Sequence, residues 1–169
     1  AVDYVYANGL MSGTSATTFA PSTQLSRAMM VQILYNLEDR PAAAESAAFT
    51  DVAADAWYAD AVNWAAGEGI VSGYGNGKFG PDDLITREQM ANMLYYYAQW
   101  AGLEPSAGAD ALQGFQDAGQ VSSWASDAVS WAVSSGLISG TGNQTLAPTA
   151  TATRAEVAQI MMAFRKGQA

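Results

Sequence analysis

Apolar residues recur at helical spacing in three separated stretches of the chain. Met30, Ile33, Leu34 and Leu37 form one stripe; Met90, Met93, Leu94 and Tyr97 a second; Val157, Ile160, Met161 and Phe164 a third. The i, i+3, i+4, i+7 spacing predicts one amphipathic helix for each. An apolar face also precedes the second stripe, where Trp57, Ala61, Trp64 and Ala65 predict a helix that buries all four. Ala1 to Asn8 reads as the middle of a similar helix. Between Ile70 and Ile85 the pattern stops. Gly73, Gly75, Gly77, Gly80 and Pro81 exclude a regular helix there and predict a long loop.

The pattern is a repeat. Gly9-Leu10-Met11-Ser12-Gly13 recurs as Gly69-Ile70-Val71-Ser72-Gly73 and as Gly136-Leu137-Ile138-Ser139-Gly140. Eight residues on stand Pro21, Pro81 and Pro148, and six further Arg27, Arg87 and Arg154. The second and third copies also share Phe49-Thr50-Asp51-Val52 with Phe115-Gln116-Asp117-Ala118, and Trp57 with Trp124. In the first copy those positions would fall before residue 1. The copy is truncated, and the chain reads as a fragment of something longer, with any export signal outside it.

The boundaries follow: a first repeat at 1–37, a linker at 38–48, a second repeat at 49–98, a linker at 99–114 and a third repeat at 115–166. Each repeat is helix, loop, helix. Gly69 sits where a left-handed C-cap would end the first helix. Thr86 with Gln89, and Thr153 with Glu156, form capping boxes that start the second; Ser26 with Met29 is half of one. No two-helix unit can bury its stripe alone. The fold class is therefore all-α: three helix–loop–helix repeats whose second helices meet in a pseudo-threefold bundle with three lobes.

Composition narrows the chemistry. The chain has 169 residues, five Trp, eight Tyr and five Phe, ample for a packed core. It has neither Cys nor His, which removes the usual zinc and iron–sulfur ligands and any Cys–His or Ser–His nucleophile. Its net charge of −9 excludes a basic nucleic-acid footprint. No apolar run is long enough to insert in a membrane. Tyr74-Gly75-Asn76-Gly77-Lys78 before Asp82-Asp83 lacks the residue order of a calcium loop, so neither metal nor cofactor is expected.

Three of seven basic residues occupy one repeat position, the first turn of the second helix. A cation is mildly unfavourable there, so helix formation does not explain Arg27, Arg87 and Arg154. One reading is an anion site, with free helix-start N–H groups and a guanidinium fork facing a carboxylate or phosphate. The other is internal: an ion pair with Asp51 or Asp117, or bonds to loop carbonyls. Asp51 and Asp117 either fix a turn or accept sugar hydroxyls and orient the arginines. Trp57 and Trp124 either staple the first helix to the core or stack on a sugar. Gly73 and Gly140 either satisfy loop geometry or let a ligand approach the backbone.

Phe49-x-Asp51-Val52, Trp57, Ala61-Val62, Gly69-Ile70-Val71-x-Gly73-Tyr74, Gly77-x-Phe79-x-Pro81-Asp82 and Ile85-Thr86-Arg87 together closely resemble the S-layer homology family. The resemblance covers nearly the whole chain. It implies a pseudo-trimer that anchors a larger, extracellular surface protein to the wall of mainly Gram-positive bacteria. The implied ligand is an anionic secondary cell-wall polysaccharide, often carrying pyruvate ketals, held in grooves between repeats. The family's Thr-Arg-Ala-Glu motif helps bind it, which makes Arg87, Arg154 and Arg27, in that order, the candidate anion contacts. Copy one has Met29 in place of the motif's acid and copy two has Gln89. Copy three has the acid but has Leu146 where copy two has Phe79.

Two other classes remain. A protein-binding or self-associating module could use Tyr95, Tyr96 and Trp100. A glycosidase would need a carboxylate pair, and none stands out; no catalytic residue is assigned.

Overall fold

The computed structural model describes residues 1–43 and 49–167. Six α-helices carry the fold: α1 (Val2–Ala7), α2 (Arg27–Leu37), α3 (Ala59–Gly67), α4 (Arg87–Trp100), α5 (Ser126–Ser134) and α6 (Arg154–Gly167). Odd-numbered helices open the repeats and even-numbered helices close them. The architecture is the all-α one the pattern predicts. Part of the 38–48 linker lies outside the described residues.

The predicted helix ends form as their residues require. Gly69, Gly9 and Gly136 all have φ near +70°. After α3, Gly69 N–H donates to Ala66 O and Ile70 N–H to Ala65 O. Those two bonds satisfy orphan carbonyls, and Ile70, only 1% exposed, supplies the apolar contact that completes the cap. At the start of α4 both halves of the Thr86/Gln89 capping box are made. In α6 Glu156 accepts from Thr153 N–H and Thr153 Oγ1 accepts from Glu156 N–H. In α2 only the Ser26 half exists.

Two kinds of helix contact build the expected bundle. Each second helix packs chiefly on the first helix of the next repeat, α2 on α3, α4 on α5 and α6 on α1. Among the second helices α2 and α4 approach closely, and α4 meets α6 through Tyr97 and Phe164, whose ring centroids lie 5.7 Å apart. What joins the repeats at the centre is backbone. Leu25 N–H donates to Ala152 O, Ala152 N–H to Ile85 O, and Ile85 N–H to Leu25 O, a closed ring of one residue per repeat. Ser26 and Thr86, just before α2 and α4, are extended, so the peptide groups there are free to bridge.

The stripes still face inward. Met30, Leu34, Met90, Leu94, Val157 and Met161 are fully buried, each contributing roughly 1.5–3 kcal/mol relative to exposure, before entropy. Trp64, Ala61 and Ala65 are buried on α3. Trp57 is not: α3 begins two residues later, and Trp57 is 61% exposed. The 57–65 stripe is therefore shorter at its start than helical spacing predicts, because Ala56 and Ala59 close a turn ahead of the helix.

Candidate functional site

The loops of the second and third repeats each carry a carboxylate-braced turn. Asp51 accepts from Phe79 N–H and Gly80 N–H, both at 2.8 Å. Asp117 accepts from Leu146 N–H and Ala147 N–H, both at 2.8 Å. Gly80 and Ala147 have φ of +71° and +50°, a conformation that an L-residue adopts at a cost of roughly 1–2 kcal/mol. The carboxylate holds it. Burial raises the Asp51 carboxyl, but the two N–H donors outweigh burial and leave it below its ordinary range. The Leu146 and Ala147 donors likewise hold Asp117 down. The turn-fixing reading of these aspartates is thus their geometry.

All three loops, braced or not, present carbonyls to the arginine of the preceding repeat. Arg27 donates from Nε to Phe79 O at 3.0 Å and from Nη2 to Ser72 O at 3.4 Å. Arg87 donates to Leu146 O at 2.9 Å and Ser139 O at 2.8 Å. Arg154 donates to Phe19 O at 2.9 Å and Ser12 O at 2.5 Å. Repeat one grips two, two grips three, and three grips one. The helix starts dock the same way: Arg27 N–H and Ala28 N–H donate to Asp83 O and Pro81 O, with matching bonds at Arg87, Glu88, Arg154 and Ala155. The expectation of free N–H groups at these helix starts is therefore corrected. The neighbouring loop takes them. The arginines bond to loop carbonyls and do not ion-pair with Asp51 or Asp117.

These docked arginines line grooves. One groove, about 590 Å³, is formed by Arg27, the loop from Gly69 to Tyr74, one face of α4 (Gln89, Asn92, Met93 and Tyr96) and Trp124. A second, about 220 Å³, repeats the plan with Arg154, the loop from Leu10 to Thr14, one face of α2 (Met29, Gln32, Ile33 and Asn36) and Trp57. Each draws its arginine, loop and tryptophan from three different repeats. A separate small void of about 10 Å³ lies among Arg87, Glu88, Val129, Ile138, Leu146 and Pro148 and includes no residue of α6.

Trp124 is 53% exposed, and like Trp57 it offers a ring to its groove instead of stapling a helix. Gly73 leaves no room for a side chain, since a Cβ would lie 2.4 Å from Lys78 O and 2.6 Å from the Phe49 ring. A Cβ on Gly140 would meet Thr145 O at 2.9 Å and Phe115 at 3.0 Å. Both glycines answer to loop packing, and the first also borders the large groove.

The sequence reading placed Met93 and Ile33 in the core stripes and Tyr96 on a rival surface, and missed that each belongs to a groove-lining helix face. Gln89, Asn92, Met93 and Tyr96 have i, i+3, i+4, i+7 spacing, as do Met29, Gln32, Ile33 and Asn36, so the signal was available. It missed Glu88 too, which is buried and accepts from Ser122 N–H and Ser122 Oγ, tying α4 to the third repeat. The aromatics assigned to a rival protein-binding surface are mostly engaged internally. Tyr95 packs edge-on against Trp131, Trp100 against Trp64, and Trp100 Nε1 donates to Glu68 at 2.8 Å.

The S-layer homology domain matches the chain over residues 1–29, 48–91 and 114–158, and the chain belongs to that family. Its relatives include surface-layer and cellulosome-anchoring proteins and an exoglucanase. It is 32% identical over 155 residues to the surface-layer 125 kDa protein of Lysinibacillus sphaericus, covering 90% of this chain and 13% of that one. It is 28% identical to the cellulosome-anchoring protein of Acetivibrio thermocellus, covering 93% and 36%, and 32% identical to exoglucanase XynX of the same organism, covering 95% and 14%. The chain thus spans a small part of these relatives. The exoglucanase match covers too little of that enzyme to indicate catalytic activity here. As a class this is a cell-surface anchoring module.

Proposed function

We propose that the chain holds a larger surface protein on the bacterial wall by binding an anionic secondary cell-wall polysaccharide, bearing pyruvate ketals, in the grooves between its repeats. The observation that carries this reading is the composition of the two open grooves. Each combines a buried guanidinium, an exposed indole and a loop with backbone groups at its surface. Indole faces stack on sugar rings, and a guanidinium is the group that best recognises a carboxylate.

The role of the arginine is divided. Nε and Nη2 of Arg27 and Arg154 clamp the neighbouring loop, and Nη1 has no acceptor among the described residues while remaining accessible. Burial lowers the pKa of both guanidiniums, which marks a desolvated cation that an incoming carboxylate would stabilise. A ketal carboxylate against Nη1, with its sugar on Trp124 or Trp57, fits that geometry.

Calorimetry of the chain with wall polysaccharide, intact and after mild acid removal of pyruvate, tests the reading. Binding to the intact polymer should fall at least tenfold on depyruvylation, and Trp124→Ala, altering an exposed ring, should weaken it by about 1–2 kcal/mol without unfolding the chain. Equal binding to both polymers would refute the role of the ketal, and absence of binding would refute the ligand.

A further inference from the structure

The two open grooves follow one plan, yet the Arg27 groove encloses about 590 Å³ and the Arg154 groove about 220 Å³. The difference lies along the helix that floors each. At the start of α4, Glu88 holds Ser122 and so sets Trp124 there, and the bridge between Ser26 and Leu84 sets Arg27 there too. Asn92 and Tyr96 lie further along the same helix face. Tyr96 is seven residues beyond Gln89, about 10 Å along the axis. The same two positions in α2 are Gln32 and Asn36.

In α2 the protein fills that end of the groove itself. Asn36 Nδ2 donates to Leu10 O at 3.2 Å, and Asn36 Oδ1 accepts from Gln32 Nε2 at 3.1 Å and from Arg40 Nε at 2.9 Å. In α4 nothing equivalent forms. Ile70 O, the counterpart of Leu10 O, accepts no hydrogen bond among the described residues, and neither the Asn92 amide nor the Tyr96 hydroxyl has a partner there. Asn92 is half-buried and borders the groove. Tyr96 is 42% exposed, with its ring set edge-on to Tyr95. A half-buried amide ordinarily finds a hydrogen-bond partner, and here the space it faces is the groove.

We infer that the Arg27 groove holds two consecutive sugar residues and the Arg154 groove only one. The inference rests on the reading of the grooves as polysaccharide sites and extends it. The acidic residue lies at Arg27 and Trp124. The next residue lies over α4, with its hydroxyls bonded to the Asn92 amide and to Ile70 O and one ring face against Tyr96. An amide donates and accepts, and a carbonyl accepts, so the pair suits hydroxyl groups. Arg27 is the only charged side chain that borders this groove, so the second residue is neutral.

The test uses the 169-residue chain and two probes. One is the methyl glycoside of the ketal-bearing sugar; the other extends it by its neutral neighbour in the wall polysaccharide. The indole N–H signals of Trp124 and Trp57 report the two grooves separately. At Trp124 the disaccharide should bind about tenfold tighter than the monosaccharide, the gain of a stacked ring and its hydrogen bonds. At Trp57 the two probes should bind alike. Tyr96→Asn gives α4 the residue that α2 has, and Asn92→Ala removes the amide. Each should abolish the disaccharide's advantage at Trp124, and Asn92→Ala carries the test if Tyr96→Asn is unstable. Equal binding of the two probes at Trp124 would overturn the second subsite while leaving the polysaccharide reading intact. An equal advantage at Trp57 would overturn the difference between the grooves, and an advantage that survives both variants would overturn the assignment to Asn92 and Tyr96. If neither indole responds to either probe, the polysaccharide reading falls and the inference falls with it.

Discussion

Arg27 and Arg87 occupy the same repeat position and make the same two loop bonds, yet their surroundings differ in kind. Arg27 lies against two aromatic rings with a neutral amide beyond it. Arg87 lies by Leu146, where the ring is missing, and is closed by Glu156. The difference separates two tasks that a repeated residue performs together. Clamping the next repeat uses Nε and Nη2 and is common to all three. The remaining nitrogen is spare capacity, spent on a glutamate in one place and left over in two.

If clamping is the shared task, its loss should be the largest effect. Arg27→Ala removes the donors of Phe79 O and Ser72 O at a residue that is 5% exposed. The expected cost is about 2–4 kcal/mol, read from denaturant unfolding. Arg87→Ala should cost a similar amount, because the clamp and not the groove sets it. A loss under about 0.5 kcal/mol in either would break the claim that the arginines hold the repeats together.

The loop that receives the clamp is next. Gly73→Ala forces a Cβ onto Lys78 O and the Phe49 ring, and should cost about 1–3 kcal/mol by overpacking. Gly75→Ala has a positive φ of +82° but nothing within 4 Å, so only the conformational cost of about 1–2 kcal/mol applies. The gap between the two melting curves tests whether packing, beyond backbone freedom, fixes the glycine.

The aspartate braces predict an acid limit. Asp51 and Asp117 have folded pKa values below the ordinary 3.8. Stabilisation from a lowered carboxyl is fully present above its unfolded value and is lost as pH falls through the folded one. Melting temperature should therefore stay level down to about pH 4 on this account and fall below it. Asp51→Asn should start lower and fall less steeply. An equally steep fall in the variant would mean that other carboxylates control the acid transition.

Much of this was legible in the residues, for reasons that vary by level. The capping boxes and left-handed glycines are local, so Thr86, Gln89 and Gly69 declare them without tertiary context. The repeat spacing exposed the arginines because it placed rare cations where a helix does not want them. Which repeat each arginine grips was not legible. That depends on the ring through Leu25, Ile85 and Ala152, formed by backbone groups that leave no mark on side-chain type. For the same reason the helix starts looked free. The exposure of Trp57 was hidden because the turn before α3 continues the helical spacing without being helix.

The smallest expected effect bears most directly on the comparison. Glu156 is 38% exposed in its side chain and Arg87 8%, so their pair is partly screened and contributes about 0.5–1 kcal/mol. Glu156→Gln keeps a capping residue that already works in α4, so its cost isolates the ion pair from the cap. Gln89→Glu builds the same pair against Arg27 and should gain a similar amount. Its guanidinium already rests on Tyr74 and Phe79, so the gain falls at the lower end. Both changes should shrink at high salt, whereas the Arg27→Ala loss should not. A stability exchange of this kind, opposite in sign at two equivalent positions and screened by salt, would show that the surroundings of Arg27 and Arg87 differ by one charge. If Glu156→Gln proves neutral at low salt while Gln89→Glu destabilises, then Leu146 and the packing around it, and not the glutamate, make the surroundings of Arg87 different.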